Sequence, residues 1–166
     1  MKEAVKLILV LTLICAVSSA LLAAVYNTTK APIAAALELR TASAAAKVMP
    51  EGASLPEKKV VAGETFFVAR KGGQLAAVAV EGRSKNGYGG EIVLMVGLGA
   101  DGRLVNYQKL VASETPGLGT KMESDAFRKP LLGRPLNGDW RVKKDGGEVD
   151  AITAATISSR AALECI

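Results

Sequence analysis

The chain has 166 residues, a formal net charge of +5 and no histidine, and aromatic side chains make up only 4% of it. So few aromatic residues, without a long basic block, exclude a base-stacking surface for nucleic acid. Of the two cysteines, Cys15 lies in an apolar run and Cys165 is penultimate, so a zinc, haem or iron–sulfur site of the usual kind cannot be assembled. Redox chemistry in this chain would therefore need an organic cofactor.

The first segment is an uncharged run, Leu7–Val25, which is long enough to cross a bilayer as a helix. A cleaved signal peptide is the alternative, because small residues at 20–24 offer a cleavage site, but the length of the run favours a retained anchor. Lys2 and Lys6 precede the run, and Lys30 and Arg40 follow it. The first pair lies closer to the membrane and favours a cytoplasmic N-terminus, with the rest of the chain outside. Residues 1–28 are therefore predicted to form a single-pass anchor.

An alanine-rich stretch at 29–52 follows and is interpreted as a helical stalk. We expect its helix to run from Ala31 to Lys47, because Pro32 suits a first helical turn. The thin apolar face of this helix indicates a connection between the membrane and a folded domain rather than part of a core.

The remaining residues, 53–166, predict an α+β domain on a largely antiparallel sheet with flanking helices. Alternating or β-branched apolar runs, separated by glycine-containing turns, predict strands at 60–61, 65–70, 75–81, 91–98 and 103–111. Short helices are expected at 125–132 and 158–165, with a brief strand at 140–143.

Near the end of the chain, the sequence DAITAATISS at 150–159 begins the last predicted helix. It places the carboxylate of Asp150 before the hydroxyls of Thr153 and Thr156, among small side chains. A helix start presents unpaired N–H groups and the positive end of a dipole, so it suits a phosphate group. An ordinary helix entry with a Ser or Thr cap is the alternative for this stretch alone.

Two glycine-containing loops precede this motif. NGYGGE at 86–91 is a sterically open turn that offers the ring of Tyr88, and ETPGLGTK at 114–121 contains a proline–glycine turn. The second loop could direct backbone polar groups at a flat heterocycle, and Lys121 could place a positive charge near it. Each loop alone is also compatible with a plain turn.

Taken in order, GYGGEI, VGL, ETPGLGTK and DAITAAT resemble the FMN-binding domain family over residues 87–161. The last motif resembles the family signature D-x-x-(S/T)-G-A-T, whose final threonine carries FMN through a phosphoester bond. The resemblance implies that Thr156 is the attachment point and that a flavin transferase takes FMN from FAD. It also implies a recognition signature that includes Asp150 and Thr153. The implied cofactor-binding residues are completed by Tyr88, Glu114, Thr115, Gly117, Leu118, Gly119, Lys121, Ala154, Ala155 and Ser158.

The sequence departs from the family at Ala154, where glycine is usual. One extra methyl group is tolerable if the backbone there has a negative φ and is strained otherwise.

Within the family, the single N-terminal membrane segment and the compact length resemble the G subunit of Rnf-type complexes. The C subunit of Na⁺-translocating NADH:quinone oxidoreductases is similar but longer, and is the second choice. The resemblance implies an electron relay in a bacterial or archaeal cytoplasmic membrane. Such a relay works with other redox and membrane subunits, between ferredoxin and NAD, coupled to Na⁺ or H⁺ translocation, without independent catalysis.

Two other functions remain open at this point. A membrane-anchored assembly module could have kept the fold and lost the cofactor. An anchored hydrolase is disfavoured because the chain has no histidine base and no evident serine–lysine pair.

Overall fold

A computed structural model describes residues 2–166 and contains one long helix, a five-stranded sheet and several short helices. Each strand pairs antiparallel with the next strand in the chain, so the sheet order is β1-β2-β3-β4-β5. The predicted α+β class, with an apolar N-terminal helix and an antiparallel sheet, is confirmed. The elements are α1 (Lys2–Lys47), β1 (Glu57–Val61), β2 (Glu64–Lys71), β3 (Gln74–Gly87), β4 (Gly90–Gly99), β5 (Leu104–Val111), α2 (Asp125–Arg128) and α3 (Thr156–Glu164).

Helix α1 joins the predicted membrane span and the predicted stalk helix without a break. The expected helix start at Ala31 is therefore wrong, because α1 continues through Pro32. The hydroxyls of Thr12, Thr28 and Thr29 each donate to the carbonyl four residues earlier at 2.8 Å, which satisfies them within the helix. By length and composition α1 could cross a membrane, although a signal sequence meets the same criterion.

The chain divides into two compact units, Met1–Leu39 and Arg40–Ile166, and the division falls inside α1. The first unit consists of the apolar part of the helix. The second contains the last two turns of α1, the whole sheet and everything after it.

Several details of the second unit differ from the sequence-based expectations, including β1, which begins at Glu57 rather than Val60, and α3, which begins at Thr156 rather than Ser158. Strand β3 continues to Gly87 rather than stopping at Glu81, so the next turn is reduced to Tyr88 and Gly89. The strand expected at 140–143 is absent, since that stretch makes only a single parallel bridge between Val142 and Val149. The helix expected at 125–132 consists of α2 followed by a 3₁₀ turn.

Strand β4 shows why the sheet has two covered faces. Its side chains alternate between the faces, as the period of two in a strand requires. Ile92, Leu94 and Val96 belong to one buried cluster, and Val93 and Met95 belong to the other. A nearly continuous apolar run is the pattern of a strand that is buried on both sides.

The two faces are covered very differently. The face of Leu94 packs against the C-terminal part of the chain, including Met122, Phe127 and helix α3. The face of Met95 is covered by Ala44 and Ala45 at the end of α1 and by Val48 directly after it. The first face therefore carries the loops and the short helix in which the candidate site lies.

Candidate functional site

A pocket of about 480 Å³ opens where three segments of the second unit meet. These are the turn between β3 and β4, the loop after β5, and the start of α3. A pocket of this volume is within the range that holds a small organic ligand. Its lining consists of Tyr88, Glu114, Thr115, Leu118, Gly119, Ala154, Ala155, Thr156, Ile157 and Ser158.

Thr156 is the first residue of α3 and is half-buried at the wall of this pocket. The preceding residue, Ala155, has no side chain that could cap the helix. The first N–H groups of a helix have no partner within it, and they carry the positive end of the helix dipole. The hydroxyl of Thr156 therefore lies beside backbone donors that suit an anionic group.

Ser159 of α3 stabilises the turn that precedes the helix. Ala155 N–H donates to the Ile152 carbonyl at 2.9 Å, which closes a turn around Thr153 and Ala154. The fully buried Ser159 accepts the Ile152 N–H at 2.9 Å and donates to the Ala155 carbonyl at 2.9 Å. One hydroxyl thus ties both ends of the turn to α3.

Ala154 has a φ of +60°, which lies in the left-handed region. An L-residue there is strained by about 1–2 kcal/mol, whereas glycine is not. We expected this alanine to be tolerated without strain if its φ were negative, but its φ is positive. The turn explains the preference of the family for glycine, because its second central residue must have a positive φ.

Glu114 is buried, with 6% of its surface exposed, and its two oxygens accept hydrogen bonds from two other parts of the site. Ser158, which is 2% exposed, donates from Oγ to Oε2 at 2.5 Å. The N–H of Gly89 donates to Oε1 at 3.1 Å. Ser158 therefore faces the protein interior rather than capping α3.

The 3₁₀ helix Gly119–Glu123, which follows the loop after β5, is bound to the sheet by two side chains of β5. The hydroxyl of Tyr107 on β5 donates to the Met122 carbonyl, and burial raises the pKa of this tyrosine well above its ordinary value. Lys109 on the same strand forms an ion pair with Glu123. Strand β5 therefore holds the 3₁₀ helix that follows the pocket loop in place.

Four of the predicted site residues do not line the pocket. Asp150 is exposed and forms an ion pair with Lys143 at 2.8 Å, and Thr153 is exposed at the tip of its turn. Gly117 is exposed, with a φ of +74°, and donates its N–H to a neighbouring threonine. Lys121 is also exposed, in the 3₁₀ helix. The other nine predicted residues all contribute to the lining.

Sequence reasoning missed two residues of the site. Ile157 lines the pocket with 47% of its surface exposed, although its position directly after Thr156 could have indicated it. Ser159 supports the turn from inside the protein. Its signal is weaker, because a serine in a first helical turn is common without any tertiary role.

The residues present fit an FMN group. The start of α3 offers N–H groups for a phosphate, and Thr156 offers a hydroxyl beside them. Gly119 and the alanines at 154 and 155 leave room for close approach, while Tyr88 and Leu118 supply apolar surface at the rim.

Residues 87–166 match the family model of the FMN-binding domain. This stretch contains all three segments that form the pocket. The fold and the pocket therefore define the C-terminal part of the chain as an FMN-binding domain.

Comparison with curated proteins shows which family of FMN-binding domains the chain belongs to. The chain is 32% identical over 167 residues to the G subunit of the ion-translocating oxidoreductase complex of Haemophilus influenzae, covering 91% of this chain and 79% of the relative. The chain belongs to the family of G subunits of ion-translocating oxidoreductase complexes. It is 39% identical over 106 residues to the G subunit of the Pseudomonas aeruginosa complex, covering 60% of this chain and 50% of that protein. The matched stretch thus spans about half the length of the Pseudomonas relative.

Two crystal structures share the fold. The C subunit of the Na⁺-translocating NADH-quinone reductase from Parabacteroides distasonis has a TM-score of 0.50 at 22% identity, covering 61% of this chain and 56% of that one. NqrC from Shewanella oneidensis also has a TM-score of 0.50, at 23% identity, covering 71% of this chain and 65% of that one.

Proposed function

We propose that this protein is a membrane-anchored electron-transfer subunit that carries FMN on Thr156 through a phosphoester bond. The observation that carries the proposal is the position of the Thr156 hydroxyl, on the pocket wall at the start of α3. When bound, FMN supplies redox chemistry that the side chains of this chain lack. The membership of the G-subunit family supports the same function.

In the attachment, Thr156 Oγ1 forms a bond to the phosphorus of the FMN half of FAD. The anhydride bond to the AMP half breaks, and AMP and the hydroxyl proton leave, so no electrons are transferred. The N–H groups of the first turn of α3 then hold the phosphate oxygens. We assign this reaction to a flavin transferase that recognises the exposed Asp150 and Thr153.

The pocket residues bind and orient the flavin ring in this proposal. Thr115, Leu118 and Gly119 of the loop after β5 and Tyr88 of the β3–β4 turn all line the pocket. The exposed rim lets neighbouring redox groups approach closely, which suits a relay rather than an enzyme with its own substrate. Lys121, which lies outside the pocket lining, acts on the ring only at longer range.

The wider setting is proposed from the family. The partners are the other membrane and redox subunits of an Rnf-type complex, which passes electrons between ferredoxin and NAD and translocates Na⁺ or H⁺. The first unit is retained as an anchor in the cytoplasmic membrane, and the FMN-binding domain lies on the extracytoplasmic side. The basic residues Lys2 and Lys6 support this orientation.

The test is the mass of the full chain, purified from cells that contain the flavin transferase, together with flavin fluorescence after denaturation. We expect the wild type to carry the mass of FMN minus one water. Thr156→Val should carry none, because the substitution removes the acceptor oxygen with little change in volume. The matched control is Thr115→Val, another threonine of the same pocket, which should keep the full added mass.

An unmodified wild type, purified with the transferase present, would favour a cofactor-free assembly module instead. The positive φ of Ala154 is the observation that keeps this second function in consideration, since a methyl group stands where the family has none. Loss of the flavin from Thr115→Val but not from Thr156→Val would show that Thr115 is the attachment point and would refute our assignment.

A further inference from the structure

The buried carboxylate of Glu114 lies at the junction of the three segments that form the pocket. It accepts hydrogen bonds from Gly89, 25 residues away in the sequence, and from Ser158, 44 residues away. These are the tip of the β3–β4 turn and the first turn of α3. Its own backbone begins the loop that runs to Gly119. One side chain thus connects every segment of the site.

Two glycines of the predicted motifs leave room for this carboxylate. A Cβ atom at Gly119 would lie 2.4 Å from Glu114 Oε2 and 2.6 Å from Ser158 Oγ. A Cβ atom at Gly87 would lie 2.8 Å from Glu114 Oε1. Atoms cannot pack this closely. Gly87 and Gly119 therefore provide the space in which the carboxylate accepts its hydrogen bonds.

We infer that Glu114 is a positioning residue, which assembles the pocket through Ser158 and Gly89 before FMN is attached. The inference rests on the proposed function, since the reaction that it serves is the attachment at Thr156. Ser158 is two residues from Thr156 on α3, so its bond to Glu114 fixes the first turn of the helix against the loop. The Gly89 bond fixes the turn that carries Tyr88.

The burial of Glu114 makes each of its two hydrogen bonds costly to lose. Hydrogen bonds to a charged group are stronger than neutral ones, and a buried carboxylate that loses a donor retains its full desolvation penalty. Displacing any one of the three segments would leave the carboxylate with an unfilled acceptor. The segments are therefore held together as one unit, and the pocket exists in the protein without its cofactor.

The side chain of Glu114 also lines the pocket, so it lies near any flavin bound there. Reduction adds negative charge to a bound flavin, so the neighbouring carboxylate disfavours reduction through its field. Glu114→Gln removes this charge and should make the midpoint potential more positive. Ser158→Ala keeps the charge and should not raise the potential.

Glu164 provides a matched control. Its Oε2 accepts hydrogen bonds from Ser84 at 2.6 Å and from Asn86 at 2.8 Å, so it also joins α3 to strand β3. It lies at the other end of the helix and does not line the pocket. Glu164→Gln therefore alters the attachment of the helix to the sheet without touching a residue that lines the pocket.

The experiment uses the full chain in detergent micelles, purified from cells without the transferase. Intact mass follows labelling by transferase and FAD in the wild type, Glu114→Gln, Ser158→Ala, the double variant and Glu164→Gln. Removing either partner should slow labelling by about tenfold, as expected for a buried hydrogen bond to a charged group. The double variant should be no slower than the slower single variant, because both changes remove one shared interaction.

Hydrogen exchange of the unlabelled chain provides a second readout that needs no flavin. The peptide around residues 87–90 should exchange faster in Glu114→Gln than in the wild type, and at the wild-type rate in Glu164→Gln. If Glu114→Gln does not fold, Ser158→Ala, which keeps the carboxylate, supplies the labelling test.

Normal labelling of Glu114→Gln together with normal exchange at 87–90 would overturn the inference while leaving Thr156 as the attachment point. An equal slowing in Glu164→Gln would also overturn it, because the effect would then be one of general stability. A wild type that is never labelled overturns both the proposed function and this inference.

Discussion

The two ends of helix α3 are both held by a hydrogen-bonded carboxylate but differ in everything around them. At the N-terminal end, Ser158 donates to a buried glutamate from the loop after β5, and a pocket lies alongside. At the C-terminal end, Glu164 accepts from residues of β3, and the helix packs directly on the sheet. The partner is a loop residue at the N-terminal end, whereas at the C-terminal end the partners are residues of a strand.

The difference shows how a small domain can place a site beside its core. The C-terminal end of α3 approaches β3 so closely that a Cβ atom at Gly82 would lie 1.6 Å from the Cys165 carbonyl oxygen. The N-terminal end carries the strained Ala154 and the exposed Ile157. One end of the helix therefore contributes packing, and the other contributes an open wall with backbone donors.

The largest effect should come from breaking the close contact at the C-terminal end. Gly82→Ala forces the backbone of α3 away from β3, because the atoms that it meets belong to main chain and cannot rotate aside. We expect a loss of about 3 kcal/mol in the free energy of unfolding. Denaturant unfolding of the full chain in micelles measures it through the fluorescence of Trp140, the single tryptophan.

Gly99→Ala on the neighbouring strand is the control for that prediction. Its Cβ atom would lie 2.5 Å from Asp101 Oδ1, which belongs to a side chain and can rotate away. The control should cost less than about 1 kcal/mol. Equal losses in the two variants would show that the contact of α3 with β3 is not tight.

The same end of the helix should make stability depend on pH. Burial, followed by the nearby Glu164 charge, raises the pKa of the Cys165 thiol from 9.0 to about 11. Between these values the unfolded chain loses the thiol proton while the folded chain keeps it, so the unfolded state binds fewer protons. The free energy of unfolding should therefore fall from pH 9 to pH 11, by roughly 2 kcal/mol in total.

The measurement compares the pH slope of unfolding in a Cys15→Ala background with and without Cys165→Ala. The comparison of slopes cancels the loss of packing at residue 165 and the titration of all other groups. A slope that is unchanged by Cys165→Ala would show that the thiol ionises as readily in the folded protein as in the unfolded chain.

The sequence predicted the elements that depend on local pattern. Strands β2 to β5 follow from runs of apolar residues between glycine turns, and the start of α3 follows from the DAITAATISS motif. The same motif placed Thr156 just before the last predicted helix, and α3 begins at that residue, because helix starts have a local signature of small and hydroxyl-bearing residues. Periodicity and turn residues are properties of a few neighbouring positions, and so they can be read without knowing the fold.

Long-range pairing could not be read in this way. The resemblance placed Glu114 and Ser158 among the cofactor-binding residues, but it did not show that the two bind each other across 44 positions. The stretch at 140–143 has a strand-like composition, but its surroundings offer only the single bridge to Val149. In both cases the decisive partner is set by tertiary packing, which overrides local preference.

The smallest effect concerns the strained turn at the N-terminal end of α3. Ala154 and Ala62 are the two non-glycine residues with a positive φ among residues 2–166, at +60° and +53°. Both are exposed, and Ala62 lies in the two-residue turn between β1 and β2, far along the chain from the pocket. Glycine at either position relieves the strain but increases the entropy of the unfolded chain, so each substitution should stabilise the protein by about 0.5–1 kcal/mol.

A comparison of substitutions at Ala154 and Ala62 separates the effect of backbone strain on stability from its effect on the attachment of FMN. Thermal unfolding should show similar gains for Ala154→Gly and Ala62→Gly, since the backbone conformations are alike. Labelling by the transferase should respond only at residue 154, where the turn positions Thr156, and Ala154→Val should slow it because a β-branched side chain resists a positive φ. Labelling that is unchanged in Ala154→Val would show that attachment does not depend on the left-handed turn. A helix start supported by Ser159 alone would then be sufficient to present the threonine.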